Sequence, residues 1–392
     1  MNTTALRLSP LALAAVFAGS VLAPISSQAQ SATTDPVGYY TVTIVAGADN
    51  VLSLPMVRDA AFAGTVASGT GTITATGFTA AAGAVSPGWT ASQWVYAAGT
   101  QRLTYYVEFT SGALKGLYYK ITANDSSVLT LDTEGDSLLL HPLPGAPTAA
   151  LAVGDSFKIR SYWTIQDVFE SAGTPLLKPR STLFDTTADD ILFPTYAAAG
   201  VSGSLGTNKA ASLDVYYLNG TGWKAIGQPG SYADQVIRPN EALIIRRRGA
   251  TNVSLTNLGN VLMNRGVYFF TGGDGSVGND TYFSISRPAA VSLDLSGLRT
   301  ADQTTSAFLD TPTLFNAGQY DTLLSFDDPA PNAGFNLSNS HTYYYLASNG
   351  WREIGSSSTT VGQDVLLQPG KAYILRKRFN NAGRDWSNDP NY

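Results

Sequence analysis

Two short runs of cations end two similar segments of the chain. They read Arg-Arg-Arg at 246–248 and Arg-Lys-Arg at 376–378. Because side chains alternate along a strand, the first and third cations of each run share a face. A guanidinium binds carboxylate or phosphate with a forked geometry, so these positions are candidates for holding an anionic group such as a uronic acid. The candidates are Arg246, Arg248, Arg376 and Arg378. The alternative is structural: the arginines pair with Asp234, Asp364 or other loop acids, or protect a strand edge.

Tyrosines come in runs, for example at 105–106, 118–119 and 343–345. Adjacent strand residues face opposite ways, so each run should place one ring outward. Outward rings can stack on a sugar or on a partner protein, and we take Tyr343 and Tyr345 as candidates. The alternative is that tyrosine simply suits an exposed strand face.

The stretch GGDGSVGND at 272–280 resembles the start of a calcium-binding nonapeptide repeat. Calcium takes oxygen ligands, so Asp274, Asn279 and Asp280 are candidate ligands. Val277 stands where the repeat would place an aspartate, and the alternative is a Gly-rich turn. We expect no other cofactor.

The usual catalytic sets are missing from the sequence. There is no cysteine, which excludes thiolate metal sites, and no Gly-x-Ser-x-Gly elbow. The two histidines, His141 and His341, are interpreted as surface or strand-edge residues. Glutamates are few, and aspartates cluster with Gly, Asn and Ser, where turns explain them. The paired carboxylates of a glycoside hydrolase are therefore not indicated.

Period-two alternation is the dominant local pattern, as in TYYVEF at 104–109 and SVLTLD at 127–132. Only two stretches, 163–171 and 296–308, suggest short helices. These patterns predict an all-β protein built from antiparallel β-sandwich or partly closed barrel units, because a meander must bury one face.

An internal repeat organises the chain. YYLNGTGWKAIG at 216–227 returns as YYLASNGWREIG at 344–355, and the similarity continues into the two cation runs. Each copy predicts a hairpin whose turn carries Asn-Gly, at 219–220 or 349–350, residues that tolerate positive φ. Trp223 and Trp351 are predicted to anchor the same core pocket in the two copies.

The repeat divides the chain into predicted modules. An N-terminal β module with an inserted meander spans 30–165, and segments 49–55 and 154–160 resemble the opening and closing strands of a faint third copy. A middle β module spans 166–290, with its repeat copy at about 185–250. A C-terminal β module spans 291–392, with its repeat copy at about 320–380.

Residues 1–29 are predicted to be a signal peptide. Arg7 precedes an apolar run, Leu11 to Ala23, and Ser27-Gln28-Ala29 offers small residues to a signal peptidase. The apolar run is shorter than the ~20 residues needed to span a bilayer, and no later stretch is long enough. We therefore predict an exported protein, periplasmic, cell-surface or extracellular, with no integral membrane segment once the leader is removed.

The charge balance excludes some partners. The formal net charge is −5 and only 14% of residues are charged. Binding to nucleic acid or to anionic lipid requires cations that neutralise phosphates, so neither is expected.

Several motifs occur together in one order: DPVGYYTVTI, the FTSG…YY-x-IT…LTLD meander, GDSFKIRSYWTIQDVF, and the repeated YY…GW…IIR unit. In this combination the chain resembles a paralogous family of exported, β-rich bacterial proteins of Verrucomicrobia type. The resemblance implies export and a β-rich fold. It implies no activity and no functional residues.

The sequence therefore favours an exported, non-catalytic structural or adhesive protein of the cell envelope or the extracellular space. One alternative is a carbohydrate-binding protein that uses exposed aromatic residues. A second is a secreted enzyme acting on glycans. The expected partners are a glycan or a second copy of the chain.

Overall fold

The computed structural model describes residues 35–390 except 70, 84, 142–148, 195–209, 274–277, 315–319, 357–360 and 379–382. The structure is 44% strand and 3% helix, which confirms the predicted all-β class with several antiparallel sheets. The predicted signal peptide, 1–29, lies outside the described residues.

The strands of the described residues are numbered in chain order. The first nine are β1 (Val37–Ile44), β2 (Ala48–Ser53), β3 (Ala60–Val66), β4 (Ile73–Thr74), β5 (Gly77–Ala81), β6 (Tyr105–Phe109), β7 (Tyr118–Asn124), β8 (Val128–Asp132) and β9 (Ser156–Ser161). The next nine are β10 (Trp163–Thr164), β11 (Glu170–Ser171), β12 (Thr174–Pro175), β13 (Asp190–Phe193), β14 (Leu213–Leu218), β15 (Gly222–Ala225), β16 (Val236–Ile237), β17 (Ala242–Arg247) and β18 (Val253–Asn260). The last nine are β19 (Gly266–Phe270), β20 (Asn279–Ser284), β21 (Val291–Ser292), β22 (Thr322–Ser325), β23 (His341–Leu346), β24 (Gly350–Glu353), β25 (Leu366–Leu367), β26 (Ala372–Lys377) and β27 (Arg384–Asn388).

Two short helical segments lie wholly within the described residues. Helix α1 (Ile165–Phe169) begins after Thr164, whose side chain accepts a hydrogen bond from the Asp167 N–H. It lies inside the predicted helical stretch 163–171. The other predicted stretch, 296–308, contains no helix, and a single 3-10 turn (Leu293–Leu295) lies just before it.

Residues 60–161 fold as a closed barrel. Strand β3 pairs with both β9 and β5, which closes the order β3-β9-β6-β7-β8-β5 into a ring of six, and β4 extends β5. Phe78, Phe109 and Phe157 fill its interior, each at most 1% exposed. Closure leaves the described strands of this barrel without a long unpaired edge.

The first β unit is a five-stranded sheet with two covering ribbons. The sheet order is β15-β14-β13-β17-β2, and the ribbons are β1-β18 and β10-β16. Ile191, Val215 and Ile245 lie directly opposite one another across the sheet and pack into one core with Trp223 and Phe169.

The second β unit repeats this arrangement. Its sheet order is β24-β23-β22-β26-β20, with ribbons β19-β27 and β21-β25. Leu323, Tyr343 and Leu375 form the row across the sheet and pack with Trp351 and Phe308.

Strand pairing differs from the predicted modules. β2, inside the predicted 30–165 module, pairs with β17, so the barrel is an insertion between two strands of the first β unit. The segment 154–160 belongs to the barrel strand β9, not to a third copy of the repeat. β19 and β20, inside the predicted 166–290 module, pair with β27 and β26. A local alternation pattern identifies a strand but not its partner, and here the partners are far apart in sequence.

The two β units pack against each other through the outer faces of their sheets. Ala242, Tyr282, Leu324, Ala372 and Ile374 form an apolar cluster between them. The Ser53 N–H donates to the Gly370 oxygen at 3.0 Å, and the Asn240 N–H donates to Ser286 Oγ at 3.0 Å.

His141 joins the barrel to the second β unit. The sequence predicts a surface or strand-edge residue; His141 is 6% exposed, so it is not a surface residue, and it forms an isolated bridge with Ala149. Its Nδ1 lies 2.6 Å from the Asp136 carboxylate and its Nε2 lies 3.2 Å from the Asp385 carboxylate, on β27. Burial alone would lower the pKa of His141, but the hydrogen bonds to the two aspartates outweigh it and raise the pKa to about 9.

No helix among the described residues has the length and apolar content that a membrane crossing would require.

The two buried indoles give the first prediction. Trp223 and Trp351 are each 1% exposed, and each ring meets a tyrosine of its hairpin edge-on. Trp223→Ala or Trp351→Ala is expected to lower the free energy of unfolding by about 3–5 kcal/mol, measured by urea titration. Ile226→Ala, on the same hairpin as Trp223 but 51% exposed, is the control and should change it by less than about 0.5 kcal/mol. A loss for either tryptophan no larger than the control would contradict the packing.

The His141 contact gives a pH prediction. A pKa raised in the folded state contributes stability that is complete below the unfolded pKa, about 6.5, and is lost as pH rises through about 9. The stability advantage of the wild type over His141→Gln should therefore shrink by about 2 kcal/mol between pH 6 and 9.5 in urea titrations. His341→Gln, at a side chain that is 35% exposed, is the control and should show a smaller change. An advantage that is constant across this range would argue against the contact.

Candidate functional site

The predicted anion-binding arginines occupy matching positions in the two sheets. Arg246 on β17 holds Asp49 on β2 through two hydrogen bonds of 2.9 Å. Arg376 on β26 holds Asp280 on β20 in the same way, at 2.7 and 2.8 Å. In both sheets the bidentate pair spans the two neighbouring strands at the same register.

The other two candidates differ between the sheets. The Arg248 guanidinium pairs with Asp190 and also donates to the Ala188 oxygen at 2.6 Å. The Arg378 side chain is half-buried, and its Nε has no hydrogen-bond partner among the described residues. Burial and the nearby Arg376 lower the pKa of Arg378. Three of the four predicted anion ligands therefore already bind carboxylates of this chain.

The tyrosine candidates turn inward. Tyr343 is 6% exposed and belongs to the core of the second β unit, and Tyr345 packs against that core and edge-on against Trp351. The Arg299 guanidinium lies 4.2 Å from the Tyr345 ring centroid and covers it. The register puts both rings on the core face, because Tyr343 lies opposite Leu323, so neither supplies an outward platform.

The two calcium candidates among the described residues, Asn279 and Asp280, do not converge on one point. Asp274 lies outside the described residues. Asn279 and Asp280 are adjacent on β20, so their side chains point to opposite faces, and the Asp280 carboxylate is held by Arg376. Among the described residues, no group of three or more His, Cys, Asp or Glu side chains is arranged to hold a metal ion.

A pocket of about 350 Å³ lies between the outer face of the first sheet and segment 326–340 of the second β unit. Its apolar lining includes Val51, Leu192, Ile244, Tyr282 and Phe326. Its polar lining includes Asp49, Asp214, Arg246, Asp327, Asp328 and Ser340. Alternation along β2, β14 and β17 places Asp49, Asp214 and Arg246 on the same sheet face as Val51 and Ile244.

Segment 326–340 is fastened to the first sheet. The Asp49 N–H donates to the Gly334 oxygen at 3.2 Å, and the Asn336 N–H donates to the Asp49 carboxylate at 2.7 Å. Arg246 completes the contact with a 2.7 Å hydrogen bond to Asn336 Oδ1. Asp49 and Arg246 therefore serve both the sheet and the wall of the pocket.

Two of the pocket aspartates have cationic neighbours. Asp327 lies 3.2 Å from His341 Nε2, whose Nδ1 contacts Glu353 at 2.6 Å. Asp328 pairs with Lys371. The hydrogen bond to Glu353 raises the pKa of His341, which favours its charged form beside Asp327.

Asp214 is the exception in the pocket. Its Oδ1 is buried and has no hydrogen-bond partner among the described residues. Burial, together with repulsion from Asp190, raises the pKa of Asp214 to about 6. Arg180 and Arg248 pair with Asp190. Together with Arg246 they lower the pKa of Asp214, but by less than burial and Asp190 raise it.

Sequence reasoning missed Asp214, although a signal was present. It stands in LDVYYL, a strand with apolar residues around it, and the aligned position of the second copy is Thr342. Asp214 lies opposite Leu192 in its sheet, as Thr342 lies opposite Leu324 in the other. An acid present in only one of two matched strands is the feature that could have singled it out.

Comparison of the chain with protein-family models, with curated proteins and with solved structures found no match in any of the three. The resemblance to the exported Verrucomicrobia-type family therefore stays a prediction.

The environment of Asp214 predicts the effect of neutralising it. Because its folded-state pKa lies above the ordinary value of 3.8, ionising Asp214 destabilises the fold as pH rises from about 4 to 6. Asp214→Asn should be more stable than the wild type by about 1–2 kcal/mol at pH 7.5, and the two should converge below about pH 4 in urea titrations. Asp302→Asn is the control: its effect on stability at pH 7.5 should have the opposite sign, because hydrogen bonds from Thr304 lower the pKa of Asp302. An Asp214→Asn variant less stable than the wild type at pH 7.5 would refute this account.

Proposed function

We propose that this chain is an exported, non-catalytic structural or adhesive protein of the cell envelope or the extracellular space. The predicted signal peptide supports export, and the use of the charged groups within the fold supports the structural role.

The observation that carries the proposal is the internal use of the most prominent polar motif. Asp49–Arg246 and Asp280–Arg376 cross-link neighbouring strands in the two sheets. Arg247–Asp189 and Lys377–Asp321 are buried pairs. The first joins β17 to the residue before β13, and the second joins β26 to the residue before β22. Removing one partner of such a buried pair costs about 3–5 kcal/mol, so these residues are explained by assembly of the sheets.

The carbohydrate-binding alternative relied on a row of outward aromatic residues. These four of the six tryptophans are at most 7% exposed: Trp89, Trp94, Trp223 and Trp351. Trp89 and Trp94 pack edge-to-face in the barrel core, with ring centroids 6.0 Å apart. These indoles are not placed to stack on a sugar, which favours the structural role.

Export is tested by locating the tagged full-length chain in a bacterial host. Fractionation, with a membrane-impermeant biotin label on intact cells, is expected to find it outside the cytoplasm. A variant without residues 1–29 is the matched control and should remain cytoplasmic. Recovery of the full-length chain only from the cytoplasm would overturn the proposal.

Adhesion is tested separately from export. Beads coated with residues 30–392 are expected to cluster with each other or to attach to cells that display the protein, and beads coated with albumin should do neither. Coated beads that behave like albumin beads would remove the adhesive role.

A further inference from the structure

The pocket beside Asp214 has features that the structural role does not require. Its volume of about 350 Å³ falls within the usual range for small-molecule sites. One side is the apolar strip Val51, Leu192 and Ile244, and the other carries polar groups of segment 326–340. A concave site with an apolar wall and a few convergent polar groups is typical of ligand binding.

The charge of the pocket selects the class of ligand. Among the described lining residues there are four aspartates, Asp49, Asp214, Asp327 and Asp328, and one arginine, Arg246. That arginine is held by Asp49 and Asn336, so it has little capacity left for an anion. An anionic ligand would therefore meet net repulsion.

A metal ion fits the pocket poorly. The described residues hold no group of three or more His, Cys, Asp or Glu side chains arranged for a metal, and Asp328 is paired with Lys371. Asp214 offers a buried carboxylate oxygen, Oδ1, that has no hydrogen-bond partner among the described residues. One carboxylate oxygen is enough for an ammonium group, which is a compact charge with hydrogen-bond donors.

We propose that this pocket binds a small organic cation, a primary ammonium group carried on a short apolar stem. The ammonium group donates to Asp214 Oδ1, and the stem lies along Leu192, Ile244 and Val51. Leu192 is directly opposite Asp214 in the sheet, so the acid and the apolar strip are in register for such a ligand.

Electrostatics gives the ligand its driving force. In the free protein the Asp214 carboxylate is destabilised by burial and by Asp190. A cation beside it offsets both effects, because an opposite charge favours the ionised form. Binding should therefore release the proton that Asp214 holds at low pH, and affinity should rise as pH increases through about 6.

The proposal does not depend on the structural or adhesive role. The second β unit offers an internal comparison, because the position of Asp214 there is Thr342, which cannot attract a cation. Both positions lie at matched places in the two sheets, so a substitution at Thr342 controls for effects on the sheet itself.

The test is calorimetric titration of residues 30–392 with n-pentylamine, 1-pentanol and valerate at pH 7.5 and pH 5. We expect n-pentylamine to bind more tightly than the neutral and anionic isosteres, and to bind more weakly at pH 5. Asp214→Asn should weaken n-pentylamine binding by about tenfold or more at pH 7.5, as expected for loss of a charge-assisted hydrogen bond, and should abolish the pH dependence. Thr342→Val should change neither.

The outcomes separate the possibilities. Equal binding of pentylamine and pentanol, or unchanged pentylamine binding by Asp214→Asn, would overturn the proposal. Loss of binding by Asp214→Asn cannot be ascribed to unfolding, because that substitution is expected to raise stability, and the urea titration checks this directly. Titration with cadaverine and with N-acetyl-lysine amide then distinguishes a free diamine from a lysine side chain. If neither of these compounds nor pentylamine binds, the proposal is also overturned.

Discussion

A buried aspartate immediately before the central strand holds each five-stranded sheet to its surroundings. Asp189 accepts hydrogen bonds from the N–H groups of Lys178 and Arg248, both at 2.6 Å, and pairs with Arg247. Asp321 repeats this in the second β unit: Leu309 and Arg378 donate their N–H groups, and Lys377 donates at 2.8 Å. A buried carboxylate is tolerated only when it is paired and hydrogen-bonded, so the preceding loop, the central strand and the last strand must meet at this residue.

This constraint explains the cation runs. Along β17 and β26 the side chains alternate, so the middle cation, Arg247 or Lys377, reaches the buried aspartate on the core side. The first cation lies on the other face, where Arg246 and Arg376 bind the aspartates of the adjacent edge strand. One three-residue motif therefore supplies both faces of the sheet. The four pairs follow the same register in both β units, and we infer that the two units are copies of one fold.

The sequence predicted those parts of the fold whose cause is local. The hairpins at 216–227 and 344–355 follow from alternation and from turn residues. In each hairpin a tyrosine of one strand lies directly opposite the tryptophan of the other strand. The partners of β2 and β20 could not be predicted, because each pairs with a strand far away in the sequence, β17 and β26, and alternation carries no information about pairing. A barrel unit was among the predicted architectures, but the strands that close it could not be predicted, for the same reason. The arginines were noticed, but their acids, Asp49 and Asp280, lie too far away in sequence to be matched to them.

Differences between the two β units separate structural residues from others. A group that the fold itself needs should be present in both, as the pairs of Arg246 and Arg376 are. The positions of Asp190 and Asp214 are taken in the second sheet by Thr322 and Thr342. The second β unit therefore assembles without this pair of acids. In the first β unit Arg180 and Arg248 pair with Asp190, whereas the buried Oδ1 of Asp214 has no hydrogen-bond partner in the described part of the chain. A group that destabilises its own sheet, and that the matched sheet does without, is best explained by something that occupies the space beside it.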